Sequence, residues 1–233
     1  MADSDELKAL TAQVKQLTRK VGLLEDIHAV RTLHFKYGYY LDMCLYDQVV
    51  DLFAEASELH FLNGVYRGKA GVRRLYCERL RNMWTKGHNG PIHGLLVDHL
   101  LLQDIVDVAP DGLTAKGRFR SFMQAGFHDS AEQPHAPVPQ SWEHGIYENE
   151  YVKEGGVWKF RLFDYNMLWQ ADYAKGWSHS GVHLRPMTTT FPDDPVGPDE
   201  LTDVVPVAWP HTRVVPFHYP HPVTGEVWRG TES

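Results

Sequence analysis

Scarcities set the first bounds on this chain of 233 residues. It has only two cysteines, Cys44 and Cys77. That is too few for a disulfide framework or a thiolate metal cage, and it fits free thiols in a reducing compartment. Basic charge is not in excess: 23 Lys and Arg against 30 Asp and Glu leave a formal charge of −7, which opposes a grip on nucleic-acid phosphates or anionic lipid. No stretch approaches the ~18 apolar residues of a membrane span, and the opening MADSDELKAL lacks the charged-then-apolar profile of a secretory signal. The expectation is a cytoplasmic protein with neither a nucleic-acid nor a membrane partner. Motifs are scarce too: there is no HExxH, glycine-rich phosphate loop, dinucleotide fingerprint or nucleophile elbow. His179 and His183 straddle Ser180-Gly181, and His218 and His221 sit among prolines, both poor settings for a metal. No metal and no cofactor are expected, which leaves acid–base chemistry by side chains.

Histidine and aromatic rings are abundant: 14 His, 7 Trp, 11 Tyr and 10 Phe. Along the chain, Leu7, Leu10, Val14, Leu17, Val21 and Leu24 alternate spacings of three and four, a coiled-coil seam about three heptads long. This helix over residues 4–24 either lies on its own domain or joins copies of the chain. Gly22 marks a break before a second helical stripe through Ile27, Val30, His34, Tyr37 and Leu41. A short helix over residues 46–54, a hairpin with an Asn63-Gly64 turn and a helix over 69–81 follow. Four long strands are then predicted over 93–108, 113–127, 142–153 and 157–173, with a proline-rich loop over 129–140 between the second and third. Helices followed by antiparallel strands predict an α+β domain with the helices on one face of a curved sheet. From Pro186 onward nine of the 14 prolines exclude a helix or a central strand. Phe191, Trp209, Phe217 and Trp228 in the same stretch predict an extended arm docked on this domain or on a neighbour. The division expected is a heptad helix over 1–24, a domain over 25–175 and an arm over 176–233.

The stretch YYLDMCLYDQVVDLFAEASELHFLNGVYRGKAGVRRLY, with the later YVKEGGVWKFRLF, resembles the SnoaL-like branch of the nuclear-transport-factor-2-like superfamily. Asp42 stands where that family ends its first helix in Asp, Leu45-Tyr46-Asp47 stands for the turn that follows, and Gly-Gly-Val-Trp-Lys-Phe opens the last strand. The resemblance implies a cone-shaped curved sheet wrapped around helices, with a deep pocket at one end. It also implies a dehydratase-like site: Tyr37 and Asp42 from the first helix, and His93 from the start of the first long strand. His93 would move protons, since imidazole titrates near neutrality. Asp42 would orient it or cap a turn, and Tyr37 would bind a leaving hydroxyl or serve as a core tyrosine. His99 and His60 are weaker candidates, because the face on which each lies is undecided. The second dehydratase histidine falls near Met123, which transfers no protons, so dehydration is in doubt unless another acid replaces it. Arg161 resembles an arginine that relatives place on the last strand and would hold a phenolate, a role shared with Arg120. Tyr147 and Asn166 would orient substrate.

The function expected is a cofactor-independent lyase on a hydroxylated aromatic small molecule. The favoured reaction is deformylation of a lignin-derived phenolic diarylpropane to a stilbene and formaldehyde. Dehydration of an aromatic or polycyclic alcohol, ketosteroid-type isomerisation and non-catalytic binding are the alternatives. A homo-oligomer, trimer or dimer, is expected from the same resemblance.

Overall fold

A computed structural model describes residues 2–131, 140–179, 181–203 and 208–228. Most of the loop expected over 129–140 lies outside these described residues. The opening helix, α1 (Ala2–Asp42), runs unbroken through Gly22. A glycine inside a helix costs only about 1 kcal/mol relative to alanine, so the strong formers on either side carry the helix across it. The two halves of α1 differ in surroundings. Every residue from Ser4 to Val21 is exposed, so the heptad half does not lie on its own domain, whereas Val30, His34 and Tyr37 are buried.

After α2 (Tyr46–Asp51) come β1 (Phe53–Phe61) and β2 (Gly64–Arg67). Their turn falls on Leu62 and Asn63, one residue before the expected pair, with Leu62 in the left-handed region at φ 56°. A helical run follows: α3 (Gly68–Arg73), a π-helical stretch (Arg74–Leu80) and α4 (Arg81–Thr85). The long strands β3 (Leu95–Val108), β4 (Thr114–Phe127), β5 (Gln140–Glu154) and β6 (Val157–Asp172) lie within two residues of the expected ranges. With the two-residue β7 (Glu200–Leu201) they form one curved, unclosed sheet in the order β3-β4-β5-β6-β1-β2-β7. The pairing departs from the expected antiparallel pattern at one seam, where β1 runs parallel to β6. Parallel neighbours need a long crossover, and the chain from β2 to β5 supplies it.

The buried half of α1 packs on the concave face. The His34 ring stacks on Phe119 with centroids 3.9 Å apart, and Tyr37 meets Phe163 at 4.8 Å. Gly38 allows the approach, because a Cβ there would stand 2.8 Å from the Leu101 side chain of β3. Two bulges on β6 reset which face it presents. Arg161 is left over between the Tyr151–Phe160 and Glu150–Leu162 pairs, and Leu168 between Gly145–Met167 and His144–Trp169. Phe160 therefore faces the core before the first bulge and Phe163 after it.

The described part of the arm docks on its own domain. The Asn63 side chain brackets Met187, accepting from its N–H at 2.7 Å and donating to its C=O at 3.0 Å. The largely buried Arg74 pairs with Asp199 at 2.6 Å and donates to the Gly197 carbonyl. Arg118 donates to the Val215 and Pro216 carbonyls beneath the Phe217 ring. Among the described residues, no helix is long and apolar enough to cross a membrane.

Candidate active site

Between α1, the helical run and the concave face lies a cavity of about 150 Å³. Its walls are mostly apolar and aromatic, including Leu41, Leu59, Leu75, Trp84, Val97 and Phe163, and the 40% exposed Met83 marks the side nearest solvent. Into this setting the sheet brings a row of side chains from four adjacent strands. His99 on β3 pairs in register with Met123 on β4, Met123 with Glu143 on β5, and Glu143 with Gln170 on β6. All four line the cavity, because residues directly opposite across strands share a face.

Two hydrogen-bonded pairs stand out. His99 Nε2 and the Tyr147 hydroxyl are 2.9 Å apart, both groups buried, and His99 Nδ1 has no partner among the described residues. Burial pushes the His99 imidazole down to about 4, so the ring is neutral near neutral pH. The second pair is Glu143, 3% exposed, whose Oε1 accepts from the Tyr165 hydroxyl at 2.7 Å. Its Oε2 accepts from Gln170 Nε2 at 2.8 Å. Burial raises the Glu143 carboxyl above its ordinary range while these two donors oppose the rise. Gly145 makes room for this arrangement, since a Cβ there would lie 2.4 Å from the Tyr165 ring. The other end of Gln170 holds the arm: its Oε1 accepts from the His183 and Leu184 N–H groups at 2.7 and 3.1 Å, and Leu184 joins the cavity wall. A third contact, Tyr37 hydroxyl to Tyr76 hydroxyl at 3.0 Å, closes the helical side.

The residues expected from sequence are distributed unevenly. Tyr37 and Tyr147 line the cavity. Asp42 lies behind it in a shallow groove, with Oδ1 accepting the His99 backbone N–H at 2.7 Å. Burial raises its carboxyl to about 6 despite that hydrogen bond, and nearby Asp98 adds to the rise. His93 does not join Tyr37 and Asp42. It precedes β3 on an exposed loop and contacts the Ser130 hydroxyl at 2.9 Å. Arg161 is half exposed in its bulge and pairs with Glu150 away from the cavity. Arg120 is exposed on the outer face, because its neighbours Phe119 and Ser121 take the inner one. Asn166 is buried beneath the arm, donating to Asp164 at 3.0 Å and accepting from Arg213. It lines a second hollow of about 550 Å³ on the outer side of the sheet. The acidic groups there are engaged, Glu148 by Arg118 and His218 and Asp164 by His60, which leaves the inner cavity as the better proton-transfer site.

His99 and Glu143 are the groups that sequence reasoning undervalued. Leu96, Val97, Leu100, Leu101 and Leu102 put apolar residues on both faces of β3, so alternation could not orient His99. On β5 both faces mix polar and apolar residues, the inward Glu143, Gly145, Tyr147, Asn149 and Tyr151 against the outward Trp142, His144, Ile146, Glu148 and Glu150, so the hydrophobic pattern does not orient the strand. The available signal was the phase of Tyr147, which shares parity with Glu143.

The family model for the SnoaL-like domain matches residues 23–164. No curated protein matches the chain. Among solved structures, it resembles a candidate scytalone dehydratase from Novosphingobium aromaticivorans DSM 12444, with a TM-score of 0.53 and 20% identity, covering 72% of this chain and 99% of that one. It also resembles the hexachlorocyclohexane dehydrochlorinase LinA-type3 from Novosphingobium barchaimii LL02, with a TM-score of 0.52 and 16% identity over 72% and 99% of the two chains. At such identities the likeness is one of fold.

Proposed function

The chain belongs to the SnoaL-like domain family, and from that premise we propose that it is a cofactor-independent lyase acting on a hydroxylated aromatic small molecule. The observation that carries this reading is the pair of buried proton-handling couples, His99 with Tyr147 and Glu143 with Tyr165, on one wall of a largely apolar cavity. In such a medium, fixed hydrogen-bonding groups act on developing charge more strongly than they would in water. A neutral His99 can accept a proton. Burial and the neighbouring Glu143 carboxylate hold the Tyr165 proton tightly, so the donor of the second couple is the Glu143 carboxyl in its protonated form, which passes a proton through the Tyr165 hydroxyl and takes one back by the same route.

The reaction we favour is loss of formaldehyde from a phenolic diarylpropane derived from lignin. His99 takes the proton of the substrate phenol while Tyr165 protonates the benzylic hydroxyl. The carbon–oxygen bond breaks, water departs and the ring becomes a quinone methide. The Tyr165 oxygen then removes the proton of the neighbouring primary alcohol. The carbon–carbon bond breaks, formaldehyde leaves, and the electron pair returns to the ring to give a stilbene phenolate, which recovers its proton from His99. Both protein groups end as they began, and no external electron acceptor is needed. Tyr37 and Tyr147 would anchor substrate oxygens. A cavity of about 150 Å³ holds one substituted ring, so the second ring would extend past Met83.

One observation favours a second reading, simple dehydration. Glu143 stands across the strand pair from Met123, where the second dehydratase histidine was missed, and so provides a second proton-transfer group. The test is to incubate the purified protein with phenolic diarylpropanes and related alcohols, scoring formaldehyde and stilbene absorbance. Formaldehyde with a stilbene supports deformylation, and an alkene without formaldehyde supports dehydration. An isomer of unchanged mass, or no product across the panel, sinks the lyase assignment.

A further inference from the structure

Residues 2–24 of α1 contribute nothing to the cavity, yet they carry six exposed apolar side chains on one stripe: Leu7, Leu10, Val14, Leu17, Val21 and Leu24, each 52–65% exposed. With Leu7, Val14 and Val21 at heptad position a, the leucines 10, 17 and 24 occupy d. We propose that this stripe is the seam of a parallel, two-stranded coiled coil that joins two copies of the chain.

Three observations select this occupant. The first is the side from which the domain holds the helix. Where the rest of the chain first touches α1, it does so at heptad position f, diametrically opposite the seam: Arg19 reaches the Pro110 carbonyl at 3.4 Å, and Asp26 accepts from Lys153 at 2.6 Å and Trp158 at 2.9 Å. The domain therefore steadies the back of the helix and leaves a and d facing away from it. The second is side-chain shape: two of the three a positions are valine and all three d positions are leucine, and β-branched residues at a with leucine at d favour two parallel strands over three or four. The third is charge. In a parallel pair each g position faces the e position five residues on in the other helix, so Lys20 meets the partner's Glu25 twice across the two-fold axis. In an antiparallel pair centred on the stripe, Lys20 faces the partner's Gln13 and Glu25 faces the partner's Ser4, and no charge is matched. Tertiary packing supplies most of the stability of helices in proteins, so a partner on the seam also accounts for how an otherwise uncovered segment holds its shape. The seam stops at Leu24, because the next a and d positions are His28 and Arg31.

The experiment uses the full chain with Leu10→Cys, at a seam position far from the domain, and Ala12→Cys, at f, as the control. The native Cys44 and Cys77 are buried and set the background. Under mild oxidation the Leu10→Cys chain should form a covalent dimer in at least tenfold greater yield than the Ala12→Cys chain. Lys20→Glu should lower that yield at low salt, and adding Glu25→Lys should restore it. Equal yields from the two cysteine positions would overturn the proposal. So would a cross-link formed only when Leu10→Cys and Val21→Cys chains are mixed, the antiparallel signature, or three chains per particle with Leu17→Asp leaving that number unchanged.

Discussion

Asp42 offers a test in which removing a charge should stabilise the protein. Its carboxyl is half-buried and rises from 3.8 to about 6, chiefly through burial. Because the folded form holds its proton more tightly than the unfolded chain, the folded state binds more protons between about pH 4 and 6. Stability therefore falls as pH rises through that window and stays reduced above it. A rise of about two pK units corresponds to about 3 kcal/mol of penalty on the ionised form at pH 8. Asp42→Asn keeps an oxygen to accept the His99 backbone N–H now bound at 2.7 Å. That penalty already contains the hydrogen bond that favours the carboxylate, and solvent at the half-buried side chain screens part of it, so the net expectation is a gain of about 1–3 kcal/mol at pH 8. Near pH 4, where wild-type Asp42 is itself mostly protonated when folded, the difference should nearly vanish. Urea unfolding of both proteins at the two pH values measures it, and Glu143, present in both, cancels. If the variant is no more stable at pH 8, or the gap is the same at both pH values, burial is not the controlling effect at Asp42. Activity separates its roles as well. A group that only holds the β3 backbone leaves turnover within about tenfold when it becomes Asn, whereas an essential base loses ~100-fold or more.

The remaining expectations concern the cavity. His99→Gln should lower kcat at least 100-fold while thermal unfolding still shows a cooperative transition, whereas His93→Ala, on the exposed loop, should leave kcat/KM within about twofold. The pH profile carries the same distinction: with the His99 imidazole down near 4, kcat/KM should hold level on the acid side until pH approaches 4, and a fall centred near 6 would assign the essential base to Asp42 instead. Tyr147→Phe strips the partner from His99 Nε2 and should cost about 1–3 kcal/mol of stability, read by chemical denaturation, together with a drop in turnover. Gly145→Ala drives a methyl into the Tyr165 side chain and should destabilise by about 1–3 kcal/mol, and Tyr165→Phe in the same background should restore only part of the loss, because the ring carbons as well as the hydroxyl oxygen stand in the way.

Much of the architecture was legible because it rests on local periodicity. The strands from β3 to β6 alternate or carry β-branched and aromatic runs bounded by Gly and Pro, and the heptad of α1 is visible in spacing alone. The arm could be read from its prolines, which have no amide hydrogen to give to a ladder. Even the family resemblance rests on short runs around Asp42 and Gly155-Gly156. Site membership was another matter. Tyr37 was legible because it lies on the buried stripe of a helix, where a period of 3.6 leaves little doubt about facing. His99 and His93 could not be ranked from sequence, since β3 is apolar on both faces and its phase is set only by pairing with β4 and by Gly38 bringing α1 against it. Arg161 was lost to a bulge, a defect of pairing between strands that no single strand announces. Glu143 joins His99 through a row of cross-strand neighbours whose members are 20 to 27 residues apart in the chain. The sequence by itself thus determined which segments become helix, strand and arm, because those choices depend on neighbours a few residues away. Only the tertiary structure decided which side chains share the cavity and which are pushed out of it. That choice depends on register, bulges and close approaches between segments distant in sequence, and on the burial that sets their protonation.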